Sequence, residues 1–244
     1  MRNIWIIARR EFSSFFATPV AYVFIAIFLV LSGIFTFFIG NLFERGQADM
    51  LPFFNFHPWL YLFLVPAIAM RTWAEERKSG TIELLMTMPV SIGEAVLGKF
   101  LAAWAVLALA LALTFPLWLT VTYLGAPDHG IIIAAYLGSW LMAGAFLAIS
   151  MCMSALTKNQ VVAFILAIVV CFLFVVSGSN IVLDAFQMWA GNAVIDTVAS
   201  FSFLSHFESM AKGVLAMNDV GYFVIAIGVW LYASLIIIEQ KKAD

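Results

Sequence analysis

The stretch RTWAEERKSGTIELLMTMPVS, Arg71 to Ser91, carries the densest charge in a chain that is otherwise dominated by apolar residues. Glu75, Glu76, Arg77 and Lys78 stand side by side between two long hydrophobic runs. Over the whole chain 64% of residues are hydrophobic and 11% charged, whereas about a quarter are charged in a soluble globular domain. So few charges cannot coat a soluble fold of 244 residues, and the apolar runs are long enough to cross about 30 Å of hydrocarbon. The fold class that follows is an all-α integral membrane protein. A net charge of -2, with no basic tract, removes nucleic acid from the partners. Cys152 and Cys171 both fall in apolar runs, where lone thiols behave as small buried hydrophobes rather than as a disulfide or metal ligands.

Working outward from the charged stretch, the apolar pattern predicts six transmembrane helices, at 20–40, 56–73, 95–124, 131–156, 161–183 and 220–238. Pro58, Pro66 and Pro116 interrupt the second and third and predict kinks there. The first apolar run is too long for a signal-peptide core and has no convincing cleavage site, so it is expected to stay as an anchor. Lysine and arginine set the orientation, because cytoplasmic loops retain them. With both termini inside, Arg2, Arg9, Arg10, Arg71, Arg77, Lys78, Lys99, Lys158, Lys241 and Lys242 face the cytoplasm, and only Arg45 and Lys212 face outward. Residues 74–94 are then a cytoplasmic loop, and residues 184–219 a long extracytoplasmic segment.

The loop itself reads as a short amphipathic helix. Gly80 breaks any continuation from the second span, Thr81 caps a new helix, Glu83 lies in its first turn where the helix dipole favours an acid, and Pro89 limits its far end. Ile82, Leu85 and Met86 share a face, with Leu84 and Met88 beside them. That face either packs on the inner ends of the bundle, with the charges as a solvated rim, or docks into a soluble partner.

Three stretches decide between these readings by resemblance. EERKSGTIELLMTMPVSIGEAVLGK, Glu75 to Lys99, resembles the first cytoplasmic loop of ABC-2 type transporter permeases: an acidic pair, a basic residue, Gly-Thr, Glu, paired leucines, Pro-Val-Ser and a closing Gly-Lys. ARREFSSFFATPVAYVF, Ala8 to Phe24, and FLSHFESMAKGVLAMNDVGYF, Phe203 to Phe223, are similar to the same family and closest to its gliding-motility-associated branch. The resemblance implies a permease subunit of the bacterial inner membrane, an exporter, whose coupling helix at Thr81 to Pro89 inserts into a separate ABC ATPase subunit. Glu75, Glu76, Arg77, Gly80, Thr81, Glu83, Leu84, Leu85 and Pro89 would carry the coupling. ATP and magnesium would be bound by that ATPase and no cofactor by this chain. A second permease protomer, identical or paralogous, and an accessory extracytoplasmic protein complete the partners that the resemblance admits. The competing reading is a non-transporting membrane anchor or force-transmitting scaffold for a surface assembly, which would share the same loop.

GEAVLGKF, Gly93 to Phe100, matches the phosphate-binding loop G-x-x-x-x-G-K-[ST] until its last residue, where Phe100 cannot ligand magnesium, and no strand precedes it. Lys99 reads instead as an anchor whose stem snorkels along the apolar surface. Before the first span, Ile4, Ala8, Phe12, Phe15 and Phe16 recur at helical spacing, with Arg2, Arg9 and Arg10 polar, and Thr18-Pro19 ends the run. That pattern predicts an interfacial helix over 1–18 in the headgroup plane. In the resembled family it is the connecting helix, which would let Arg9, Arg10 and Glu11 meet Glu75 and Glu76. In the extracytoplasmic segment, Phe203, Phe207, Met210 and Val214 form a stripe opposite Ser205, Glu208, Ser209 and Lys212, predicting an outer-leaflet helix. Its stripe either rests on headgroups or closes an extracytoplasmic gate, with Phe203, Phe207 and Met210 as gate candidates. His57, His129 and His206 have no ligand spacing between them, which argues against a metal site. An ion-coupled transporter would need acids within the bilayer, and a membrane enzyme would need a base beside Ser150, Ser154 or Ser177; neither pattern is present in the sequence.

Overall fold

The computed structural model describes residues 2–82, 90–179, 182–184 and 197–241. Among these residues regular structure is entirely helical. In chain order the helices are α1 (Arg2–Ala17), α2 (Val20–Ile34), α3 (Leu51–Asn55), α4 (His57–Ala69), α5 (Arg71–Ser79), α6 (Ile92–Ala112), α7 (Phe115–Leu124), α8 (His129–Leu156), α9 (Gln160–Val176), α10 (Phe203–Ala211) and α11 (Met217–Gln240). A π-helical turn, Phe35–Ile39, extends α2.

Among the described residues four segments are long and apolar enough to cross a membrane: Val20–Ile39, Ile92–Leu124, His129–Leu156 and Met217–Gln240. The second and fifth predicted spans fall in shorter helices. Around the second, α4 stops at Ala69 and α5 begins at Arg71, with Met70 alone between them. Pro66 lies inside α4 and has no N–H to give to the preceding turn. The third span is broken between α6 and α7 at Leu113–Thr114, and Pro116 occupies the first turn of α7, where a missing N–H costs nothing. The fifth starts on Asn159, whose side chain accepts from the Val161 amide, and continues as regular helix to Val176.

Packing centres on α8, which is buried along most of its length, with α4, α6, α9, α10 and α11 arranged around it. Its sequence explains this position, since small residues let neighbours approach closely. A side chain on Gly138 would collide with Met210 of α10, and one on Gly144 with Trp104 of α6 and Ile227 of α11. Trp104 stacks on Trp140 at 3.9 Å between ring centroids and donates its indole N–H to the Trp140 carbonyl. The neighbours that α8's small residues admit are therefore helices of the same chain.

The two ends of the bundle differ. At one end gather α1, α5, the start of α6 and the last turns of α8 and α11. The Arg77 guanidinium donates to the Ala155 carbonyl at 2.7 Å, and Lys241 Nζ donates to the Leu156 carbonyl. These cations meet the free carbonyls and the negative end of the α8 dipole. At the opposite end lie α3, α10 and the first turn of α8, which Asp128 caps through the Gly130 and Ile131 amides.

Candidate functional site

The site is built where α1, α5 and α6 meet. Ser91 opens α6 with a capping box: its hydroxyl accepts from the Glu94 amide while the Glu94 carboxylate accepts from the Ser91 amide. Glu94 also accepts from the Asn3 side chain at 3.3 Å, tying the start of α1 to the start of α6. One turn further, Gly98 leaves room for α1 to lie directly on α6; a Cβ there would come within 2.7 Å of the Ile7 side chain. Ile7 and Ala8 are consequently buried, and Trp5, Ile6, Arg9 and Arg10 are exposed.

This crossing encloses Lys99, which is 4% exposed. Its ammonium lies 2.7 Å from Glu76 of α5 and 3.3 Å from Glu11 of α1, and 5.3 Å from the centre of the fully buried Trp73 ring. The snorkelling lysine expected from sequence is therefore corrected. With α1 folded over the first turns of α6, the head group is sealed from solvent and must be neutralised by carboxylates. The expected meeting of α1 with the loop's acids takes an indirect form. Glu11 reaches Glu76 through Lys99, while Arg10 pairs with its neighbour Glu11 at 2.8 Å and Glu75 pairs with Arg71 at 2.8 Å. Arg9 stays exposed. Burial works against the Glu11 carboxylate, yet Lys99 and Arg10 outweigh it and hold its pKa below the ordinary range. The Arg71 hydrogen bond does the same for Glu75.

Beside the lysine a cleft of about 190 Å³ opens between α1 and α5, lined by Glu11, Thr18, Arg71, Glu75, Glu76 and Thr81 among others. The second oxygen of Glu76 is buried there without a hydrogen-bond partner. Helix α5 ends at Ser79, and Gly80 takes a left-handed backbone with φ of 74°, a conformation glycine adopts without strain. Thr81 and Ile82 begin the next helical turn. Glu83, Leu84, Leu85 and Pro89 lie outside the described residues.

The resemblance to a phosphate-binding loop finds no loop. Gly93 to Phe100 is regular helix, and the Lys99 head group is committed to Glu11 and Glu76.

At the opposite end, α10 buries Phe203, Phe207 and Met210 against the bundle, chiefly on α8. Val214 does not continue the stripe. Gly213, with φ of 88°, ends the helix, as the Val214 amide bonds to the Ser209 carbonyl and the Gly213 amide to that of Met210. Glu208 and Lys212 form the expected exposed pair at 2.6 Å. His206 is held by Asp219 at 2.7 Å and by the Ser200 carbonyl at 3.0 Å, and stacks on Tyr222. No metal-holding cluster occurs among the described residues.

Sequence reasoning passed over Ser139. Its hydroxyl lies 2.7 Å from both His57 Nδ1 and the Tyr61 hydroxyl, and the ring is enclosed by Phe28, Phe53 and Phe54. His57 is fully buried, and this polar knot joins α4 to α8. A serine inside an apolar run was the available signal, since buried hydroxyls need partners.

The sequence profile described as ABC-2 family transporter protein matches residues 5–239. No curated protein matches.

Proposed function

Because the chain belongs to the ABC-2 transporter family, we propose that this multi-pass membrane protein is the permease subunit of an ATP-driven exporter of the bacterial inner membrane. ATP hydrolysis comes from a separate ABC ATPase, which engages residues 81–89. A second permease chain, a copy or a paralogue, completes the pathway. The chain crosses six times with both termini inside, α4 and α9 being its two short crossings. On this reading the chain is nearest the gliding-motility-associated branch, a reading its three motif stretches support, and the stripe of Phe203, Phe207 and Met210 closes the outer end.

The observation that carries this reading is the Lys99 junction. A buried ammonium joins the helix that enters the loop, through Glu76, to the helix that leaves it, and through Glu11 to α1. Displacement of the loop is then passed to three elements together instead of being absorbed by a slack turn. Nucleotide-driven closure of the ATPases moves the loop, and the attached helices reorient between inward- and outward-facing arrangements.

Charge and shape reversal in the loop tests this. Glu83→Lys and Leu85→Asp variants are expected to insert normally in the membrane and to lose the ATPase on affinity purification. Undiminished recovery of the ATPase with both variants would refute loop docking. Substrate-stimulated ATPase activity in the reconstituted complex separates transport from the scaffold reading, which predicts none.

A further inference from the structure

The break between α4 and α5 is made by a residue of another helix. In an unbroken helix the amides of Trp73 and Ala74 would bond to the carbonyls of Ala69 and Met70, four residues back. Here both amides donate to the Ser154 hydroxyl of α8, each at 3.1 Å, and that hydroxyl donates to the Met70 carbonyl at 2.8 Å. Ser154 is fully buried. A side chain inserted into the i→i−4 ladder is one of the few physical causes of a helix break. Pro66, four residues before Met70, already weakens the ladder on the other side.

We infer that Ser154 is a hinge-setting residue: its hydroxyl holds the α4–α5 junction in one of two hydrogen-bonded arrangements. In the arrangement seen, the hydroxyl serves the two amides and the Met70 carbonyl. In the other, the amides return to Ala69 and Met70, and the helix runs through. The released hydroxyl has a local acceptor in the Ser150 carbonyl, one turn back on α8; Ser150 itself bonds in this way to Phe146 at 2.7 Å, and Ser234 to Trp230 at 2.9 Å. The arrangement seen partners both amides, the hydroxyl and the Met70 carbonyl, and the other partners both amides with their helical carbonyls and the hydroxyl with its own helix, so each is a discrete hydrogen-bonded state. Arg77 biases the arrangement seen, because its bond to the Ala155 carbonyl holds α5 against the same turn of α8.

The role of this junction in transport rests on the permease reading above, since α5 leads directly into the loop. The hinge itself does not depend on that reading and is tested without an ATPase. Spin labels are placed at Phe63→Cys on α4 and Lys78→Cys on α5, both exposed, in the full chain in phosphatidylcholine–phosphatidylglycerol nanodiscs; native Cys152 and Cys171 are buried. Pulsed dipolar spectroscopy then reads the distance between them. Ser154→Ala is expected to shift it toward the roughly 22 Å that 15 residues of continuous helix span. Ser154→Cys, close in size but a weak donor and acceptor, is expected to give an intermediate distribution. A Ser154→Ala distribution that coincides with wild type would overturn the hinge, even where the variant melts lower, because Ser154 would then only fill space.

Discussion

Replacing Lys99 with methionine isolates the junction, because the apolar stem is kept and only the charge is lost. At an effective dielectric of about 20, an ammonium at 2.7 Å from Glu76 and 3.3 Å from Glu11 gains roughly 6 and 5 kcal/mol of Coulomb energy. Most of this is offset by the several kcal/mol needed to strip each ion of water. Removing one partner of such a buried pair typically costs about 3–5 kcal/mol, because the abandoned charge stays behind. Glu11 and Glu76 keep about a fifth of their side-chain surface exposed, so we place the loss near the low end, at about 3 kcal/mol. That corresponds to a roughly 100-fold rise in the open population of α1. Hydrogen exchange across Arg2–Ala17 of the protein in nanodiscs reads it directly. Lys99→Met should accelerate exchange by about that factor, and adding Glu76→Gln should restore most of the protection. Wild-type exchange in the single variant, or no recovery in the double, would refute the idea that the ammonium holds these helices together.

Three further outcomes follow from the packing and the charges. Gly98→Val should lift α1 from α6, at a cost of about 1–3 kcal/mol from overpacking, because its Cβ would meet Ile7 at 2.7 Å; hydrogen exchange of α1, with that of α9 unchanged, checks it. Met210→Ala should open a cavity between α10 and α8 worth about 2–5 kcal/mol, measured as a lower melting temperature with faster exchange confined to Phe203–Ala211. Glu11 and Glu75 are held below their ordinary pKa, so their contribution is fully present above the unfolded value of about 4.3 and is lost as pH falls through the lower folded values. Attachment of α1 should therefore stay constant from neutral pH down to about 4.3 and weaken only below it; weakening between pH 7 and 5 would contradict the assignment.

Local signals made much of this architecture legible. The spacing of Ile4 and Ala8, with Thr18-Pro19 as a stop, anticipates α1, and glycine at 80 and proline at 116 mark ends that the backbone respects. What stayed hidden depends on contacts between distant parts of the chain. Lys99 reads as a surface anchor until α1, about 90 residues earlier, is seen to cross at Gly98. His57 meets Ser139 over a separation of 82 residues, and Ser154 reaches the α4–α5 junction over 81 and 80. No hydropathy period encodes such pairings. Their only trace is a polar residue inside an apolar run, which says that a partner exists without saying where. Val214 was misplaced for the opposite reason: the stripe suggested one more turn, while Gly213 was already a helix terminator.

The proposed function requires that another polypeptide's ATP hydrolysis drives this chain. The most direct measurement is purification from native membranes, with identification of every chain that accompanies it. An ABC ATPase in fixed proportion is the predicted result. Recovery of this chain with no ATPase, from membranes solubilised gently enough to keep membrane complexes intact, would contradict it.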